Sequence, residues 1–198
     1  MKKKTNALVN IALACALIIA TSHAAFCQIE LEPWGNLRGI RIDGQLMEFE
    51  TNLSVVEKNW TVIKATGKEK QRPKYFRKGN QQIVTTNIDS LYFTKTVEEA
   101  GKGGATVTVE FTPRRMETID GVFLALTLPQ KYYANGSVQL NNLKPVNLME
   151  PLTTLTNYTK APANSLYFIS KDRQLKITFK EPTSIIFRNS EDKSVKGL

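Results

Sequence analysis

The stretch from Trp34 to Val56 constrains the fold more than any other part of the chain, because its pattern is that of a β-hairpin. Asp43-Gly44 lies between two apolar segments and is typical of a type I′ turn, in which both central residues need a positive φ. After the turn, apolar or small residues alternate with polar ones, and the former are Met47, Phe49, Thr51, Leu53 and Val55. This period of two predicts a strand with one buried face and one solvated face.

Short segments with strand character recur as far as residue 188, and turn residues separate them. Residues 90–97 place Leu91, Phe93 and Lys95 on one face, and the nearly continuous apolar residues 121–128 predict a strand buried on both faces. Asn135-Gly136 predicts a second type I′ hairpin, and residues 59–65 and 183–188 predict further strands. No helical periodicity persists for three turns. The fold class is therefore predicted as all-β, an antiparallel two-sheet β-sandwich with little helix after the N-terminal segment.

The first 27 residues have the organisation of a secretory signal peptide. Three lysines precede an apolar run over residues 7–20 that is too short to span a bilayer, and small residues follow it. We expect a signal peptide over 1–27, a β-sandwich domain over 28–188, and a polar tail or truncated linker over 189–198. The protein is then exported, periplasmic or extracellular, without stable membrane insertion. Acylation at Cys27 is disfavoured because the bulky Phe26 precedes it.

Removal of that segment also removes most of the reactive side chains. Both cysteines and the single histidine lie within it, so the mature chain lacks thiolates and imidazoles. This excludes Ser-His-Asp and Cys-His catalysis and zinc sites built from His and Cys. We expect no cofactor and no metal. Loss of three of the 27 basic residues and none of the 18 acidic residues leaves the mature domain at about +6.

The most basic stretch, residues 64–78, is the first candidate binding element. Its cations could meet the carboxylates or sulfates of an acidic glycan while an aromatic ring stacks on a sugar. The candidate residues there are Lys70, Lys74, Tyr75 and Arg77. Trp34 is a further candidate for stacking on a sugar; the alternative is that it fills the core at the end of the sandwich. The alternative for the basic stretch is a solvated loop that protects a sheet edge. Nucleic acid is not an expected partner of an exported chain.

Glu48 and Glu50 are the stronger candidates for catalysis, since Glu117 and Asp120, which precede the apolar residues 121–128, fit a turn. Glu48 and Glu50 lie two residues apart on one strand, so both side chains leave the same face, as paired carboxylates do in sandwich-fold glycosidases. The alternative is that they form the solvated face of an amphipathic strand. No catalytic residue is assigned on this basis.

Residues 34–44, Met47 to Glu50 and residues 119–129 resemble the N-terminal region of large secreted bacterial polysaccharide-degrading proteins. In that family an N-terminal β-sandwich precedes a (β/α)8 glycoside-hydrolase barrel. The resemblance implies a noncatalytic domain whose partner is a downstream catalytic domain, with the catalytic carboxylates beyond Leu198. Two alternatives stay open: a carbohydrate-binding module for an acidic glycan, and a sandwich glycosidase that uses Glu48 and Glu50.

Overall fold

The computed structural model describes residues 28–101, 103–114 and 118–188; the predicted signal peptide and the 189–198 tail lie outside them. The prediction of an all-β chain with antiparallel sheets is confirmed. The described strands are distributed over three sheets, where the sequence suggested two. None of the helices in these ranges is long and apolar enough to cross a membrane.

The first sheet is built around the long second strand of the predicted hairpin. That strand, β3, pairs with β2 and β4 along one edge and with β9 along the other, since Thr51 faces both Leu37 and Leu126. The sheet contains β1 (Gln28–Leu31), β2 (Leu37–Ile42), β3 (Gln45–Glu57), β4 (Ile63–Ala65) and β9 (Ile119–Thr127). The hairpin turn is as predicted, with φ of 48° at Asp43 and 82° at Gly44.

The second sheet is a four-stranded meander that packs on the first. It contains β5 (Lys74–Lys78), β6 (Gln81–Ile88), β7 (Leu91–Glu99) and β8 (Ala105–Pro113). One part of the shared core joins Leu53 and Val55 of β3 to Ile88, Leu91 and Phe93. The predicted buried face of β3 is confirmed from Phe49 onward, although Ser54 and Val56 on its other face are buried as well.

The last third of the chain forms the third sheet, in the order β11-β10-β12-β13. Its strands are β10 (Ser137–Leu140), β11 (Val146–Asn147), β12 (Ala163–Ile169) and β13 (Gln174–Thr183), accompanied by the short helices α1 (Gln130–Tyr133) and α2 (Leu152–Tyr158). Leu126, Leu128 and Leu175 pack against both this sheet's core and the sandwich core. The three sheets therefore share continuous apolar packing.

The predicted strand over residues 59–65 is wrong in its first half. Residues Lys58–Trp60 form a 3₁₀ helix, and positive φ angles at Asn59 and Trp60 are incompatible with an extended strand. Only Ile63–Ala65 pairs with β3. The centroid of the Trp60 ring lies 5.3 Å from that of Phe123, so the indole has an apolar contact although Trp60 does not belong to a strand.

Three other strand predictions also differ from the structure. β9 is not buried on both faces, because Leu124 on one of them is 50% exposed. Asn135-Gly136 does not close a hairpin, since the preceding residues form α1 and Gly136 lacks a positive φ. Residues 184–188 are not a strand; Ile185 and Phe187 pack against the core of the third sheet.

Candidate functional site

A tight turn between β1 and β2 carries Trp34 and forms one wall of a cleft on the first sheet. The Gly35 N–H donates to the Glu32 carbonyl and the Glu32 N–H donates to the Asn36 carbonyl, both at 2.8 Å. Gly35 adopts a φ of +96°, and a Cβ there would lie 3.4 Å from Val84 of the second sheet. The turn therefore has a fixed shape and holds the half-buried Trp34 side chain at the cleft.

The floor of this cleft is tied to β3 by a buried hydrogen-bond network. Thr66 Oγ1 donates to Asn36 Oδ1 at 2.8 Å and accepts from the Leu53 N–H at 3.0 Å. Asn36 Nδ2 in turn donates to Glu50 Oε1 at 3.2 Å. Because Asn36 and Thr66 are 3% and 4% exposed, their polar groups depend on these bonds. The network fixes the Glu50 carboxylate relative to the turn.

A buried lysine supports the same turn from inside the sandwich. Lys95 on β7 is 1% exposed, as its predicted place beside Leu91 and Phe93 implies. Its Nζ donates to the Gly35 carbonyl and to Thr51 Oγ1, both at 2.9 Å. Burial lowers the pKa of Lys95 to about 8, and no ion pair with it occurs among the described residues. The second sheet thus holds the Trp34 turn through a cation.

The cleft has a volume of about 400 Å³, and both acidic and basic side chains line it. Its lining includes Glu32, Trp34, Arg38, Glu50, Lys68 and Lys70. Burial raises the pKa of the Glu32 carboxyl; Arg38, 3.3 Å away, opposes this rise, and the negative charge of Glu50 adds to it. The Trp34 side chain also hydrogen-bonds Glu32. Acceptors, cationic donors and an indole therefore converge on one volume.

The cleft lies on the outward face of the first sheet. Glu50 and Asn52, which line it, alternate along β3 with Phe49, Thr51 and Leu53, which are buried. Its volume lies within the range of small-molecule sites, about 300–1,000 Å³. Such a site can bind a polar ligand that has an apolar face for the indole and several hydroxyl or charged groups.

The structure brings together two of the five predicted glycan-binding residues. Trp34 and Lys70 both line the cleft. Lys74, Tyr75 and Arg77 lie instead on β5, the edge strand of the second sheet, and do not line it. The predicted basic stretch is therefore divided, with its first part at the cleft and its last part on a separate edge.

Glu48 and Glu50 share one face, as the pattern implies, but their surroundings differ. Glu48 Oε2 lies 2.8 Å from Lys131 Nζ, and this partner lowers the pKa of the Glu48 carboxyl. Both carboxylates line a pocket of about 90 Å³ together with Arg38. A carboxylate held ionised by a lysine is poorly suited to act as a general acid. The glycosidase role of this pair stays a hypothesis, with no further support from the geometry.

Several residues of the cleft carry no sequence signal of their role. Glu32 follows a short strand, and Asn36 and Arg38 lie in ordinary polar positions. Their convergence depends on the turn before β2 and on the loop after β4, which are adjacent only in the folded chain. The sequence signals for the cleft are Trp34, between Pro33 and Gly35, and the basic stretch 64–78, which contains Lys68 and Lys70.

Among the described residues, no group of three or more His, Cys, Asp or Glu side chains could hold a metal ion. No protein-family model, curated protein or solved structure significantly matches the chain. The cleft therefore has to be interpreted from its own chemistry.

Proposed function

We propose that this chain is an exported, noncatalytic β-sandwich module that binds an acidic saccharide in the Trp34 cleft. The observation that supports the proposal is the convergence of the half-buried Trp34, the carboxylates of Glu32 and Glu50, and three cations on one cleft of about 400 Å³. A pyranose ring offers C–H groups to an indole face and hydroxyls to carboxylate and amide groups at its edge.

The preference for an acidic saccharide comes from the positions of the cations. Glu32 pairs with Arg38, whose side chain is still 57% exposed, and Lys68 is 73% exposed. Lys70 is exposed as well. A carboxylate on the ligand would meet these cations, while the carboxylates of Glu32 and Glu50 accept hydrogen bonds from hydroxyls. This arrangement favours a uronic acid over an uncharged sugar.

Calorimetric titration with an oligogalacturonate, and with an uncharged cello-oligosaccharide of the same length, tests the proposal. We expect the acidic ligand to bind more tightly, and Trp34→Ala to weaken its binding by about tenfold or more. Tyr75→Ala is the matched control, because Tyr75 is an exposed aromatic residue outside the cleft.

Equal losses in the two variants would contradict the assignment to the cleft. Absence of binding by either saccharide to the folded wild-type protein would overturn the proposed function itself. Far-ultraviolet circular dichroism establishes that each variant is folded before its affinity is compared.

A second proposal keeps the chain as the N-terminal domain of a larger glycoside-hydrolase-like protein. The observation in its favour is the exposure of three apolar side chains, two between β10 and α2 and one at the first residue of α2: Leu143 at 50%, Met149 at 68% and Leu152 at 39%. A domain that packs against a catalytic barrel needs apolar surface of this kind. Sequencing the reading frame beyond residue 198 tests it directly. If a barrel follows, peroxide should oxidise Met149 more slowly in the full protein than in this chain; equal rates would refute the packing role.

A further inference from the structure

The edge strand β5 holds the residues of the predicted glycan site that the Trp34 cleft does not use. All five residues of Lys74–Lys78 are exposed. β5 is the terminal strand of the second sheet, in the order β5-β6-β7-β8, so only β6 pairs with it among the described strands. Its outer edge therefore presents backbone N–H and C=O groups that another strand could pair with.

The side chains of β5 are basic on both faces. Lys74, Phe76 and Lys78 alternate with Tyr75 and Arg77, so each face presents a cation and an aromatic ring. Within the described residues, no carboxylate forms an ion pair with Lys74, Arg77 or Lys78. Nor does the sequence from residue 70 to residue 88 contain an acidic residue. The strand is a positively charged edge without internal neutralisation.

Lysines on an edge strand often have no role beyond preventing aggregation, but two features of β5 are not explained by that role. Edges are commonly protected by bulges, and β5 pairs with β6 over all five residues without a register shift. Its aromatic rings are also well exposed, Tyr75 at 44% and Phe76 at 46%. The Tyr75 hydroxyl donates to Gln82 Oε1 at 2.9 Å, and this contact fixes the ring beside the edge.

We propose that β5 binds an extended acidic segment of a partner polypeptide, which adds to the second sheet as a fifth strand. The backbone edge would supply the affinity common to strand addition, and the side chains would select the sequence. A partner running antiparallel would place carboxylates opposite Lys78, Arg77 and Lys74 and apolar side chains opposite Phe76 and Tyr75. This proposal does not depend on the function of the Trp34 cleft.

A peptide fits this surface better than an acidic glycan. A glycan could satisfy the three cations, but it has no regular array of amide donors and acceptors to match an extended backbone edge. The regular five-residue pairing of β5 with β6 keeps that edge straight enough to pair again. The fully extended strand is therefore the feature that distinguishes the two kinds of ligand.

A capped seven-residue peptide, with threonine, glutamate, glutamate, valine, valine, glutamate and threonine in that order, is the probe. Its affinity for the whole protein is measured by fluorescence anisotropy. Two further peptides have the same sequence but carry N-methyl groups on every second backbone amide, each on a different one of the two alternating sets. Both keep the charge of the probe, and each has one edge that cannot donate backbone hydrogen bonds. We expect N-methylation of one of the two sets to weaken binding by about tenfold or more. Equal binding of all three peptides would overturn strand addition, even without any protein variant.

The double variant Arg77→Glu, Lys78→Glu should weaken binding of the unmodified peptide by about tenfold or more. Lys180→Glu is the matched control, because Lys180 is an exposed lysine on β13, an edge strand of the third sheet; it should leave the affinity within about twofold. Equal effects of the two variants would overturn the assignment to β5. Absence of peptide binding would overturn the proposal of strand addition. If polygalacturonate instead binds the wild-type protein and binds the β5 variant more weakly, β5 is a glycan site and the proposal is equally overturned.

Discussion

Lys95 provides the sharpest test of the structure, because it is a cation inside the sandwich and no carboxylate among the described residues pairs with it. Its Nζ hydrogen-bonds the Gly35 carbonyl and Thr51 Oγ1, and the side chain is 1% exposed. The substitution Lys95→Met keeps most of the apolar volume and removes both the charge and these two hydrogen bonds. Its effect on stability should therefore depend strongly on pH.

The expected magnitude follows from the pKa. Burial lowers the pKa of Lys95 from 10.5 to about 8, which corresponds to about 3 kcal/mol of differential stability between the neutral and charged forms. The unfolded chain then binds more protons than the folded protein between these two pH values. For this group, the free energy of unfolding is constant below pH 8 and rises with pH up to about 10.5.

At pH 7 the two effects of the substitution oppose each other. Removing the buried charge stabilises the variant by about 3 kcal/mol, and leaving the Gly35 carbonyl without its donor costs about 1–3 kcal/mol. The variant should therefore be close to the wild type in stability, or more stable. As the pH rises to 10, the wild type should gain between about 2 and 3 kcal/mol relative to the variant.

Urea unfolding followed by tryptophan fluorescence at pH 7, 8, 9 and 10 measures this difference. Other groups that titrate in the window, including Tyr133, whose pKa burial raises, are common to both proteins and cancel. Lys180→Met is the control, because it removes the charge of an exposed lysine and so reports the effect of losing a lysine outside the core. A constant difference for Lys95→Met would refute the reasoning that burial governs this lysine.

Two further substitutions test the cleft and the third sheet. Thr66→Val leaves the buried Leu53 N–H without its acceptor and Asn36 Oδ1 without its donor. It should therefore lower the free energy of unfolding by about 1–3 kcal/mol, measured in urea, and weaken saccharide binding, measured by calorimetry on the same purified variant. Gly136→Ala would place a Cβ 2.8 Å from the Ile169 carbonyl oxygen, so the free energy of unfolding measured in urea should fall by about 1–3 kcal/mol. An unchanged free energy of unfolding would show that the backbones of the third sheet separate easily.

The first sheet could be predicted because its central hairpin is specified locally. The Asp43-Gly44 turn and the alternation through Val55 need no knowledge of distant residues, and both are present. Where the local signal was ambiguous, as at Asn59 and Trp60, strand-forming residues adopted another conformation because Trp60 packs on Phe123.

The cleft could be predicted only in part. Trp34 and Lys70 were both candidates, but nothing in the sequence indicates that they share a cleft from which Lys74, Tyr75 and Arg77 are absent. Glu32 and Arg38 belong to the cleft because the β1–β2 turn folds back on itself. Such convergence depends on contacts between residues far apart in sequence, and no periodicity encodes it.

The sequence by itself determined the all-β class, the hairpin and the alternation of its faces, because steric and burial preferences act between neighbouring residues. Tertiary structure decided how the strands divide into three sheets, since a period of two shows which residues share a face but not which sheet a strand joins. It also decided that Lys95 is a buried support for the Trp34 turn. A lysine on an alternating strand acquires that role only when a second sheet covers it.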